Sequence, residues 1–209
     1  MQDISFVLFG FFTGLSLILA IGAQNIFVIE QGLKKQYIFL VCLICTISDF
    51  LLIFLGIFLF EYFKIFFTYE VELIFNILLF FFLVYFVISK IKIKYNELNI
   101  GFKKSPTALK NIVIKTLGFT YLNPHVYSDT VFFLGNFSKS FLLYDKIIFG
   151  IGASVASTLF FFSIGYASNY FSKYLNNKKI WNIINWIIIF IMSVITLYVI
   201  REIIYSVNL

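Results

Sequence analysis

Gly118-Phe-Thr-Tyr-Leu-Asn-Pro-His-Val-Tyr-Ser-Asp-Thr130 decides how this chain folds. The stretch lies inside an apolar segment, about 112 to 135, that is long enough to cross a bilayer. Yet it carries Asn123, Pro124, the single histidine His125 and Asp129 within seven residues. Pro124 lacks a backbone donor and blocks the helical bond to the carbonyl four residues back. The side chains of Asn123, His125 and Asp129 each need a polar partner away from lipid. The expected structure is a broken helix lining a polar cavity near the bilayer midplane. The alternative is a plain proline kink whose polar groups are satisfied by neighbouring helices.

Outward from this stretch the chain is uniformly apolar. Hydrophobic residues make up 61% and charged residues 12%, about half the charge of a soluble domain, and the mean hydropathy is +0.98. Further apolar segments run over about 6 to 29, 37 to 60, 71 to 89, 146 to 171 and 181 to 204, each sufficient for a spanning helix of about 20 residues. The expected fold is an all-α membrane protein with six transmembrane helices in a single domain over 1–209. Its halves, 1–90 and 111–209, are joined by a basic linker, 91–110. No lysine or arginine precedes Lys34, so the first segment lacks the basic flank of a cleaved signal peptide and reads as a retained span.

The breaks between segments carry the charge. Gly32 is placed to end a helix just before Lys34 and Lys35. The break from Lys90 to Lys115 is the longest, with Gly101 and Pro106 as helix breakers, and reads as a mobile, solvated linker. Twelve of the 16 basic residues fall in alternate breaks on one face. That face is expected to be cytoplasmic, which puts both termini outside. The net charge of +6 is thus a topology signal rather than a patch for nucleic acid.

Three spans followed by three spans start the second half on the opposite side of the membrane, the arrangement of an inverted repeat. Gly22-Ala23-Gln24-Asn25 interrupts the first span much as Leu122-Asn123-Pro124-His125 interrupts the fourth, and Asp49 to Gly56 has the spacing of Thr158 to Gly165. Gly22 and Pro124 are the expected helix breaks.

Asp49 falls near the centre of its span, where a carboxylate is costly unless paired or hydrated and is a functional candidate by default. Asp129 lies one turn beyond His125 on the same helical face, close enough to share a hydrogen bond or a proton. Gln24 and Asn25 are either ligands or polar links between helices. Gly10 and Gly14, with the small residues Gly152, Ala153, Ser154, Ala156 and Ser157, mark faces for close helix packing.

Cys42 and Cys45 form a C-x-x-C inside an apolar segment, with no second pair and no histidine nearby. Two small buried helix residues are the better reading than a redox or zinc motif. There is no phosphate loop, no cluster of metal ligands and no nucleophile beside a base. An enzyme is not expected, and no cofactor is called for.

Gly22-Ala-Gln-Asn-Ile-Phe-Val-Ile-Glu-Gln-Gly-Leu-Lys-Lys35, Ile47-Ser-Asp49 and Leu122-Asn-Pro-His-Val-Tyr-Ser-Asp-Thr130 resemble the LysE family of lysine and arginine exporters. The likeness runs through nearly the whole chain and includes Asn185. It points to the basic amino-acid branch rather than to the homoserine and threonine exporters. It implies a multi-pass protein of the bacterial inner membrane that exports L-lysine or L-arginine by antiport with protons, as an oligomer. Two residues depart from the family pattern: Ala23 stands where proline is usual, and Phe160 where tryptophan is usual.

On this reading Asp49 and Asp129 supply negative charge to the substrate's cationic group or carry the proton, and His125 is a relay. Gln24, Asn25 and Asn123 hydrogen-bond the substrate or the exposed backbone, and the broken-helix amino termini hold the substrate carboxylate. Other readings are an exporter of a neutral amino acid or another small cation, a passive channel, and a membrane thiol oxidoreductase using Cys42 and Cys45.

Overall fold

The computed structural model describes residues 2–19, 22–66, 68–97, 108–172 and 178–207, and their regular structure is helical. In chain order the helices are α1 (Gln2–Ile18), α2 (Ala23–Lys34), α3 (Ile38–Phe66), α4 (Tyr69–Glu97), α5 (Leu109–Tyr121) and α6 (Pro124–Tyr127). A π-helical segment (Ser128–Leu134), α7 (Gly135–Ser138), α8 (Leu143–Phe171) and α9 (Lys178–Val207) follow.

Four stretches are long and apolar enough to span a membrane as single helices: Ile38–Phe60, Tyr69–Ile88, Leu143–Phe171 and Trp186–Tyr205. Helix is the form available to them, because hydrocarbon offers no partner to an unpaired backbone group. The other two expected segments are the broken ones. Ile4–Ile18 and Ala23–Lys34 meet at 85° and count as a fifth span only if taken as one bent pair. In the remaining segment α5 stops at Tyr121 and helix resumes at Pro124.

Two local expectations are corrected. Helix α4 continues through Lys90, Lys92 and Lys94 to Glu97, because lysine is a good helix former and an established helix propagates into water. The basic linker is therefore shorter than 91–110. Its portion with Gly101, Lys103, Lys104 and Pro106 lies outside the described residues. Gly32 does not end α2. It sits within the helix, where a Cβ would run into the carbonyl of Gly165 on α8, and the cap falls on Lys35, in the left-handed region at φ 57°. Close packing, not chain reversal, is what requires glycine at position 32.

The packing crosses between halves. Helix α1 lies along α8, with Gly10 against the backbone of Phe149, Gly14 against Ala153, and Gly152 against the backbone of Val7. The small faces expected from sequence thus pack on each other within one chain. The π segment and α7 lie along α3, with Gly56 against Val131 and Gly135 against Gly56. Each broken segment therefore rests on the first long helix of the other half. Both contacts depend on backbone approaching backbone, the usual source of helix association where lipid removes the hydrophobic drive.

The core holds Phe27, Phe86, Phe119, Leu79, Leu83 and Met192, all essentially excluded from the surface. Cys42 and Cys45 are buried beside them as free thiols. The Cys42 thiol donates to the carbonyl of Phe161 at 3.3 Å, so it links α3 to α8. Phe160 packs against this core and is not among the residues lining the cavity described next.

Candidate functional site

The two breaks face each other. A Cβ on Gly22 would come 3.9 Å from Nδ2 of Asn123, and both residues line a cavity of about 510 Å³. Gly22 is the N-cap of α2 and provides no side-chain cap. Helix geometry leaves the first N–H groups of α2 without intrahelical partners, and Ala23, Gln24 and Asn25, which carry them, line the cavity. Asn123 caps the second break: its Oδ1 accepts a 3.1 Å hydrogen bond from the His125 N–H. Pro124 occupies the first helical turn, where a missing donor costs nothing. It is buried and lies behind the cavity wall rather than in it.

Carbonyls freed by the breaks are recovered across them. Asn25 Nδ2 donates 3.1 Å to the Ile18 carbonyl at the end of α1. The Tyr127 hydroxyl donates 3.0 Å to the Tyr121 carbonyl at the end of α5. The π segment begins immediately after, and π turns leave backbone groups that side chains can meet. Ser128 and Thr130 return their hydroxyls to the carbonyls of Pro124 and Val126, at 3.3 and 2.5 Å.

Asp49 is 4% exposed, and its Oδ2 accepts a 2.7 Å hydrogen bond from the Ser157 hydroxyl of α8. Both residues line the cavity, as does Asp129 from the π segment. The two carboxylates are close enough to interact electrostatically, and Asp129 also interacts with His125. The His125 ring lies against that of Tyr198 on α9, with centroids 5.5 Å apart. Gln24 is 6% exposed and reaches the cavity, and its Nε2 has no hydrogen-bond partner among the described residues.

All six side chains singled out in the sequence, Gln24, Asn25, Asp49, Asn123, His125 and Asp129, therefore meet at one cavity. Sequence reasoning missed three of its neighbours. Ser157 appeared only as a small residue, although a serine facing the centre of an apolar helix was the available signal. Thr130 lay within the quoted motif without being singled out. Tyr198 is one of 13 tyrosines and nothing in its local sequence distinguishes it. The side chain of Asn185 lies outside the described residues. Among those residues no group of three or more histidine, cysteine, aspartate or glutamate side chains is arranged to hold a metal.

The cavity joins two carboxylates to the open amino end of a helix, with amide side chains between. Carboxylates of this kind suit a positive group, and a helix amino end suits an anionic one.

Comparison with known proteins agrees in kind. A family model described as LysE type translocator matches residues 15–203. The chain is 30% identical over 203 residues to the arginine exporter protein ArgO of Pectobacterium carotovorum subsp. carotovorum strain PC1, covering 92% of this chain and 95% of that one. It is 31% identical over 200 residues to ArgO of Salmonella paratyphi A strain ATCC 9150, with 95% of each covered. It is also 31% identical over 204 residues to ArgO of Salmonella newport strain SL254, again with 95% of each covered. No solved structure matches significantly.

Proposed function

The chain belongs to the LysE type translocator family, and from that premise and the cavity we propose that it exports a basic L-amino acid, arginine or lysine, from the cytoplasm. It is a multi-pass membrane transporter and not an enzyme. The observation that carries the substrate is that Asp49 and Asp129 both line the cavity, with no lysine or arginine among the lining residues. A carboxylate pair inside a membrane is expensive alone and favourable with a guanidinium or ammonium between its members. Similarity to arginine exporters along nearly the full length supports the same choice.

Substrate export is coupled to proton entry, with Asp49 or Asp129 taking the proton once substrate has left, and His125 passing it on. The packing of each broken segment on the other half's first long helix supports an inverted repeat. Alternating access is then one half rocking against the other around the cavity. The basic loops face the cytoplasm and both termini face outward.

Proteoliposomes loaded with unlabelled arginine and given labelled arginine, lysine or a neutral amino acid outside test the substrate by exchange. An imposed proton gradient tests the driving force. Uphill movement of a basic amino acid that collapses with an uncoupler is the expected result. Flux that only equilibrates would make the protein a channel. The thiol oxidoreductase reading gains nothing from Cys42 and Cys45, which are fully buried on one helix.

A further inference from the structure

The cavity is exposed on its α9 side, whereas Phe27, Phe86 and Phe119, beyond its Gln24, Asn25 and Leu79 lining, are buried. Its exposed lining is His125 with Val194 and Tyr198 of α9, the last two 48% and 44% accessible. On the buried side three helices carry matching layers. Along α2, Gln24 and Asn25 line the cavity, Phe27 follows within a turn, and Glu30 comes one turn later. Backwards from Asn123 across the second break, Phe119 and then Lys115 of α5 follow about one turn apart. Along α4, Leu79 lines the cavity and Phe86 lies two turns on.

The side chains meet layer by layer. Phe27 and Phe119 have ring centroids 5.1 Å apart, Phe86 and Phe119 5.0 Å, and Phe27 and Phe86 6.3 Å. Behind this plug lies Glu30, 1% exposed, with the Lys34 ammonium 2.5 Å from its Oε1. Lys115 interacts electrostatically with Glu30 and Lys34, and its ammonium stands 5.6 Å from the centre of the Phe86 ring.

Stability does not explain such a layer. An exposed ion pair one turn apart contributes little, and a buried one rarely outperforms an apolar side chain of the same size. A buried carboxylate held by exchangeable ammonium groups, between the basic end of the molecule and the cavity, has the chemistry of a way-station for a cation.

We propose that Glu30 is a second, transient site for the substrate's cationic group at the inner end of the pathway, its place held by Lys34 and Lys115 while the Phe27, Phe86 and Phe119 layer is closed. The inference rests on the basic amino-acid reading above. An arriving guanidinium or ammonium exchanges with a lysine, so Glu30 is never stripped bare. Drawing Lys115 off the face of Phe86 also removes the cation that pins that ring, which couples arrival to opening. Glu30, Asp49 and Asp129 then form a series of carboxylates along one path.

The test compares equilibrium binding of labelled arginine and lysine to purified full-length protein with initial uptake into inverted membrane vesicles, where the loop carrying Lys34 and Lys35 faces the medium. For Glu30→Gln the expected result is cavity affinity close to wild type and a KM for uptake raised roughly tenfold, the loss of one charged contact. For Lys115→Met, which keeps the aromatic contact and removes a competitor, KM is expected to fall. Glu30→Asp should recover part of the loss.

An unchanged KM in Glu30→Gln overturns the proposal, as does a fall in equilibrium binding as large as the fall in uptake, which would make Glu30 merely structural. If Glu30→Gln does not fold, an unchanged or raised KM in Lys115→Met overturns it. Wild-type protein that neither binds nor carries a basic amino acid removes the exporter reading itself, a result distinct from all of these.

Discussion

Ser157 on α8 donates a 2.7 Å hydrogen bond to Asp49 on α3, joining residues 108 positions apart inside the membrane-spanning core. The contact holds the carboxylate in one orientation at the cavity wall. It also supplies the polar partner without which that group is costly in a membrane.

Replacing Asp49 with asparagine keeps shape and hydrogen-bonding capacity while removing the charge. We expect a folded, membrane-inserted protein that no longer exports arginine or lysine from a strain lacking other exporters. If Asp49 holds the substrate, binding is lost. If it carries only the proton, exchange persists and uphill transport stops. Ser157→Ala leaves the charge without its donor and should weaken binding by roughly tenfold, about the value of one hydrogen bond to a charged group. Full export by Asp49→Asn would refute both roles.

Asn123 caps the helix that restarts at Pro124. Asn123→Ala removes that cap, worth about 1 kcal/mol, and should lower the thermal unfolding midpoint in detergent. Asn123→Asp keeps the acceptor, so it should restore stability without necessarily restoring transport. Equal loss of stability in both variants would contradict the capping role.

Cysteines introduced at Asn123 and Val126, both of which line the cavity, should react with small water-soluble thiol reagents, with substrate protecting at least the first. Cys42 and Cys45 are fully buried and provide a quiet background. A wholly unreactive pair would favour a sealed kink over an open cavity.

Gly10 meets the backbone of Phe149 with no room for a side chain. Gly10→Leu forces α1 away from α8 and should cost about 1 to 3 kcal/mol or more. Loss of monodisperse protein in detergent, or a clear drop in unfolding temperature, would register it. Ile4→Leu, at an exposed position on the same helix, should be silent.

Reporter fusions at Lys104 and at the carboxyl terminus test the topology. The unequal distribution of basic residues predicts a cytoplasmic signal at Lys104 and an extracytoplasmic one at the terminus. Cytoplasmic signals at both would refute it.

The apolar segments, their breaks and the identity of the polar positions were legible in the sequence, because a membrane leaves few options. A long apolar run must be helix, a proline and asparagine within one must break it, and a carboxylate there needs a purpose. Tertiary structure decided what each group meets. It set the break at Gly22 opposite the break at Asn123, gave Asp49 its hydroxyl from Ser157, and turned Gly32 from an expected terminator into a packing site against Gly165. Local sequence records which groups cannot face lipid. Only the packing of distant helices determines which of them satisfy one another and which are left facing a shared cavity.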